Sequence, residues 1–131
     1  YDIGNLMLPQ ELFLKSEPLT EDEKKKIHEH PLIAARDILE PISYVQDIIP
    51  IIEAHHENWD GTGYPKKAQK KDIPLSSQII LLLDSYFALT EPRSYRKALK
   101  KEDAIELIKS EAGKKWNEEL VTAFTKLIKT D

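Results

Sequence analysis

The chain of 131 residues has room for one compact domain around one core, and not for two. Its net charge of -4 excludes a general electrostatic grip on nucleic acid polymers or anionic membranes, so a phosphate-bearing ligand would need a local basic cluster. The lack of cysteine excludes disulfides and thiolate metal sites, leaves His and carboxylate as metal donors, and suits a cytoplasmic protein.

Tyr1-Asp2-Ile3-Gly4-Asn5 opens the sequence without an initiator Met, and the chain reads as a piece excised from a longer protein. Asp2 there is an N-cap or turn residue on local grounds. Thr20 followed by Glu23 forms a capping box ahead of Ile27, His30, Ala34 and Ile38 at helical spacing, which predicts a helix over 21–39. Pro41 and Ser43 break that pattern. Val45, Ile48, Ile49, Ile52 and His56 repeat at three and four, predicting a second helix to about 57, with Pro50 bending it or marking a short first turn. Residues 59–65 are turn chemistry, followed by a lysine-rich solvent segment over 66–71.

A third helix over 76–89 is apolar on most sides and is expected to be a central core helix. Two amphipathic helices follow near 102–111 and 117–129, with Asn117 as N-cap of the last. No segment alternates with period two, so the fold class is all-α. The longest apolar run, Ile79 to Leu83, is far short of the roughly 20 residues of a membrane span, and no membrane contact is expected of this segment.

His30 lies on the first helix, while His55 and His56 stand together at the end of the second, so three of the four histidines are candidates for one metal cluster. Neighbours on a helix differ by about 100° in direction. Either a fraying helix end turns both rings inward, or each serves a different ion, and an isolated pair is more often plain packing. Asp84 is the sharper anomaly, because Ile79-Ile80-Leu81-Leu82-Leu83 leads into it and Phe87, Ala88 and Leu89 follow. A carboxylate there must be paired, protonated or metal-bound, since burying a lone charge costs several kcal/mol. In the loop, Gly61 and Gly63 permit positive φ and close backbone approach to a ligand, and Tyr64 before Pro65 is held extended; the alternative is a tight structural turn. Arg93, Arg96 and Lys97 could grip phosphate or a guanine edge, although such a group alone is more often a solvated face.

Residues 1–5 resemble the HDxGK signature of the HD-GYP family, and the block from His55 to Pro65 resembles its HHExxDGxGYP signature. Pro18-Leu19-Thr20, His30-Pro31, Ile73-Pro74-Leu75 and Arg93 to Ala98 fall in order where that family has its PLT, HP, IPL and RxYRKA elements, so the likeness covers nearly the whole chain. It implies an HD-domain helical bundle truncated at its N-terminus, with residues 1–131 as the C-terminal major part of the domain. It also implies one to three divalent metal ions, iron or manganese, hydrolysis of cyclic di-GMP or a related cyclic dinucleotide, contacts with GGDEF-type signalling proteins, and room for a homodimer. By position, Asp2 would bridge metals, His30, His55 and His56 would be ligands, and Asp84 would complete the shell. The loop residues Gly61, Gly63, Tyr64 and Pro65 would shape the pocket for substrate.

Three departures stand out. Tyr1 replaces the leading His, and a phenol with pKa near 10 is a poor neutral-pH ligand for most divalent ions, although a phenolate can serve ferric iron. Asn5 replaces the Lys that would touch substrate phosphate, and Phe87 replaces the second Asp of a DAFDA-like element. Two readings therefore stay open: a metal-dependent phosphodiesterase, or a degenerate domain that binds nucleotide or a signalling partner without turnover.

Overall fold

The computed structural model describes residues 1–15, 17–92 and 97–128. It is helical throughout, and the one β-type feature among the described residues is an isolated bridge between Ala112 and Trp116. A 3₁₀ helix, Asp2–Met7, precedes a single turn, α1 (Glu11–Leu14). The predicted capping box is formed. Thr20 accepts from the Glu23 amide, Glu23 accepts from the Thr20 amide, and α2 (Glu21–Ile27) begins there.

The single helix expected over 21–39 is broken. α2 ends at Ile27, α3 (His30–Ile33) starts after a turn, and it continues as a π-helix over Ala34–Leu39. Pro31 supplies the reason: it has no N–H to donate to the Ile27 carbonyl, so the helical ladder fails at that point. The second expected helix is likewise shorter than its periodicity suggests. A 3₁₀ segment, Ser43–Ile48, runs into α4 (Ile49–Glu53), with Pro50 in the first turn. Proline is tolerated there because its missing donor would be unpaired anyway.

Beyond the loop and a short 3₁₀ turn (Lys70–Asp72) come α5 (Leu75–Thr90), α6 (Lys101–Ser110) and α7 (Glu118–Ile128), each within one or two residues of its predicted bounds. Asn117 caps the last of them, its side-chain oxygen accepting from the Glu119 amide at 2.9 Å. Leu81, Leu82, Tyr86, Ile105, Ile108, Trp116, Val121 and Phe124 form the core shared by α5, α6 and α7.

α5 supplies Leu81, Leu82 and Tyr86 to the core, as expected of a central core helix. It is not buried all round, because Leu75, Ile79, Leu83 and Phe87, four residues apart, line one exposed stripe. Only the face carrying Leu81, Leu82 and Tyr86 packs into the core. Among the described residues no helix is long and apolar enough to cross a membrane. The N-terminal half is organised differently: the first 3₁₀ helix and α4 both pack on α3 and the π-helix that continues it, and this packing assembles the site.

Candidate metal centre

Gly4 makes the first of these contacts. A Cβ at this position would lie 2.0 Å from the His30 carbonyl oxygen, so only glycine lets the 3₁₀ helix lie this closely on α3. That approach carries Asp2 to His30. The carboxylate Oδ1 stands 3.2 Å from His30 Nε2 and 3.4 Å from His55 Nε2.

The two imidazoles are oriented by carbonyls that the helices leave free. His30 Nδ1 donates to Ile27 O at 2.8 Å, the oxygen that Pro31 cannot reach, and His55 Nδ1 donates to Ile52 O at 2.5 Å where α4 has run out. A carbonyl oxygen only accepts, so each Nδ1 must carry its hydrogen. A ring without a second proton then presents a lone pair at Nε2, and the two Nε2 atoms face one another across 3.2 Å. Two lone pairs and a carboxylate oxygen thus meet around one point. They repel until positive charge, a proton or a cation, sits among them.

His56 completes the group. Because α4 ends at Glu53 and residues 54–56 form a turn, both neighbouring rings face inward, 4.1 Å apart between centroids. Candidate ligand atoms from Asp2, His30, His55 and His56 all lie within 4.8 Å of one another. Burial, reinforced by the charges of His55 and His30, lowers the His56 pKa to about 3, which keeps the ring neutral and able to donate a lone pair. With protons on the Nε2 atoms, hydrogen bonds from His30 and His55 hold Asp2 well below the usual carboxylate range, so it is an anion whether protons or a cation fill the point. Three neutral imidazoles and one carboxylate form a donor set that suits a divalent transition metal, and the backbone-anchored Nδ1 atoms are the orienting outer contacts such ligands carry.

The other candidate residues fall around this group. Asp84 is not among the four; it accepts a hydrogen bond from the Tyr1 hydroxyl at 2.8 Å, which answers the expectation that a carboxylate in this apolar run finds a partner. The Tyr1 ring is 5.0 Å from that of His55. Asn5 has its side-chain oxygen buried without a hydrogen-bond partner among the described residues. Arg93 and Arg96 lie outside the described residues, while Lys97 is exposed.

Tyr64 is sandwiched between histidines, stacked on His28 at 3.9 Å and on His56 at 4.8 Å. The Tyr64–Pro65 peptide is cis. Gly61 takes the positive φ of +82° that its sequence context allows, but Gly63 does not. Its role is contact within the loop, since a Cβ there would fall 2.3 Å from Asn58 N and 2.5 Å from His56 O. Asp60 accepts from the Thr62 amide and hydroxyl, and buried Glu57 accepts from the Lys66 amide at 2.6 Å. The loop is therefore fixed by its own polar groups.

Sequence reasoning missed three contributors. His28 was the one histidine left outside the cluster, yet it closes the stack on Tyr64. Gly4 serves through contact with a residue 26 positions away, a pairing that local pattern does not disclose. Lys115 lines a cavity beside His56 and Asp84, and no motif marks it.

The family model described as HD domain matches residues 1–120. A cyclic di-GMP phosphodiesterase of Thermotoga maritima is 35% identical over 130 residues, covering 98% of this chain and 35% of that protein. A cyclic di-GMP phosphodiesterase of Vibrio cholerae is also 35% identical, over 95% of this chain and 26% of its own length. The chain thus spans about a third or less of these curated relatives. A crystal structure of a cyclic GMP-AMP specific phosphodiesterase from V. cholerae superposes with a TM-score of 0.68 at 21% identity, over 85% of this chain and 25% of that one, a likeness of fold.

Proposed function

The chain belongs to the HD domain family, and from that premise we propose that it is the metal-holding part of a phosphodiesterase that hydrolyses cyclic di-GMP or a related cyclic dinucleotide. The carrying observation is the meeting of Asp2 Oδ1 with the Nε2 atoms of His30 and His55, whose Nδ1 hydrogens are already committed to backbone carbonyls. Such a point calls for positive charge, which a metal cation supplies with all four donors at once. Asp2, His30, His55 and His56 would hold iron or manganese, with Asp84 as a further donor once Tyr1 releases it. When bound, a divalent ion supplies Lewis acidity toward a phosphoryl group and acidifies water.

The chain's own residues do the rest. The Ile27 and Ile52 carbonyls keep the two imidazoles in the tautomer that leaves Nε2 bare. Tyr64, held between His28 and His56, packs the His56 ring against the cluster, and the hydrogen-bonded loop from Glu57 to Lys66 holds it in place. The relatives named as cyclic di-GMP phosphodiesterases support this substrate class. Metal-stimulated release of linear dinucleotide or GMP from cyclic di-GMP, lost in the His55→Ala variant, is the expected result. A protein that carries metal but hydrolyses neither cyclic di-GMP, cyclic GMP-AMP nor a simple phosphodiester would overturn the hydrolytic reading.

A second reading, nucleotide binding without turnover, draws on one contact. The Tyr1 hydroxyl occupies an oxygen of Asp84, the carboxylate that would otherwise complete the shell. Micromolar binding of cyclic di-GMP without product under manganese or ferrous iron would favour it.

A further inference from the structure

A cavity of about 510 Å³ adjoins the cluster, with His56 and Asp84 among its lining residues together with Ser85, Glu111, Lys115 and Trp116. Its size falls within the range of sites for small organic ligands. Lys115 is the one basic side chain on its wall among the described residues. Its placement is built, because Gly113 at φ +80° turns the chain between α6 and α7, and the Gly113 amide donates to Trp116 O at 2.7 Å. The turn is then tied to the loop after His56, with the Trp59 amide donating to Lys115 O and the Asp60 amide to Lys114 O. Trp116 is buried at 3% exposure and anchors the segment in the core, and Lys115 Nζ sits 4.9 Å from the centre of its ring.

Lys115 is half-buried, and among the described residues no carboxylate lies within ion-pair distance of its Nζ. Burial lowers the Lys115 pKa, and Asp84 and Glu111, the acidic groups on the same wall, offset this in part without forming a contact pair. A partly dehydrated ammonium without a contact anion is poised for one. A cyclic dinucleotide carries two phosphodiesters, and with one at the cluster the remainder must extend into adjoining space. Asn5, on the cluster side, is neutral and brings no charge to that ligand.

We propose that Lys115 is the phosphate-gripping residue of this cavity, holding a phosphodiester of the cyclic dinucleotide beside the metal cluster; the inference rests on the substrate class proposed above. The test uses Lys115→Met and Lys115→Arg in the manganese-loaded full chain, with calorimetric titration of a phosphorothioate analogue of cyclic di-GMP. The Met variant should weaken binding about tenfold or more, flatten its dependence on salt, and leave metal content unchanged, while Arg should stay within about threefold of the parent. Undiminished binding by the Met variant overturns the role of Lys115 and leaves the substrate class standing. Equal losses in both variants with a lowered Tm also overturn it, since they mark packing on Trp116. If the parent chain binds no cyclic dinucleotide at all, the functional reading falls and takes this inference with it.

Discussion

The Ile27 and Ile52 carbonyls each take an imidazole Nδ1–H because the helix that would have used them stops short, once at a proline and once at a helix end. The consequence at the residue scale is that Pro31 tunes His30 without touching the cluster. Pro31→Ala would supply an N–H that competes for Ile27 O, freeing His30 to rotate or change tautomer. We expect metal affinity to fall about tenfold, within the range for lost outer contacts, as read by competition with a chelating dye; unchanged affinity would disprove the anchoring role. His56 gives a pH signature in metal-stripped protein. Its folded pKa of about 3 lies below the ordinary 6.5, so between these values the unfolded chain binds the extra proton and stability drops as pH falls. Glu57, raised by burial, acts in the opposite direction, losing stability as pH rises above its ordinary 4.5. Comparing His56→Phe with the parent isolates the histidine. The stability difference between pH 7 and 4.5 should shrink by roughly 2 kcal/mol in the variant, and urea midpoints that shift equally in both proteins would rule this out.

At the scale of elements, Gly4 sets how closely the first 3₁₀ helix lies on α3. Gly4→Ala should cost about 1–3 kcal/mol through overpacking and, by lifting Asp2 from His30 and His55, reduce metal affinity as well. Urea unfolding and metal titration of the same variant check both, and a stable variant with full affinity would sink the proposal. The same element shows what sequence could and could not convey. Amphipathic spacing and the caps at Thr20 and Asn117 made the start of α2 and both ends of α5, α6 and α7 readable to within a residue or two, since those signals are local. The break between α2 and α3 was less legible. The apolar positions keep helical spacing straight through it, and the proline that causes it sits one turn later. The exposure of Leu75, Ile79, Leu83 and Phe87 was not legible for a related reason: hydrophobicity reports what a face would prefer to cover, and not what lies against it.

Over the whole molecule, the cluster draws its groups from the first residues, from α3 and from the end of α4, so one point in space closes two long chain segments. The histidine pair and the signature loop announced a site, and the meeting of His30 with His55 and His56 was anticipated. Lys115 and His28 were not, because what places them is tertiary contact with Trp116 and Tyr64. A cation at this point would bind the folded chain and not the unfolded one, and would stabilise it by about 2.7 kcal/mol at a hundredfold excess over its dissociation constant. For a domain of this size each kcal/mol moves the melting point by several degrees. We therefore expect chelation to lower the Tm of manganese-loaded protein by on the order of 10 °C and added manganese to restore it. His55→Ala should melt at one temperature whether or not chelator is present, because without the imidazole at the centre the remaining groups no longer share a point. Calorimetry of both proteins with and without chelator decides the matter. A parent Tm indifferent to chelator would mean that the meeting of lone pairs at Asp2, His30 and His55 is relieved by a proton alone.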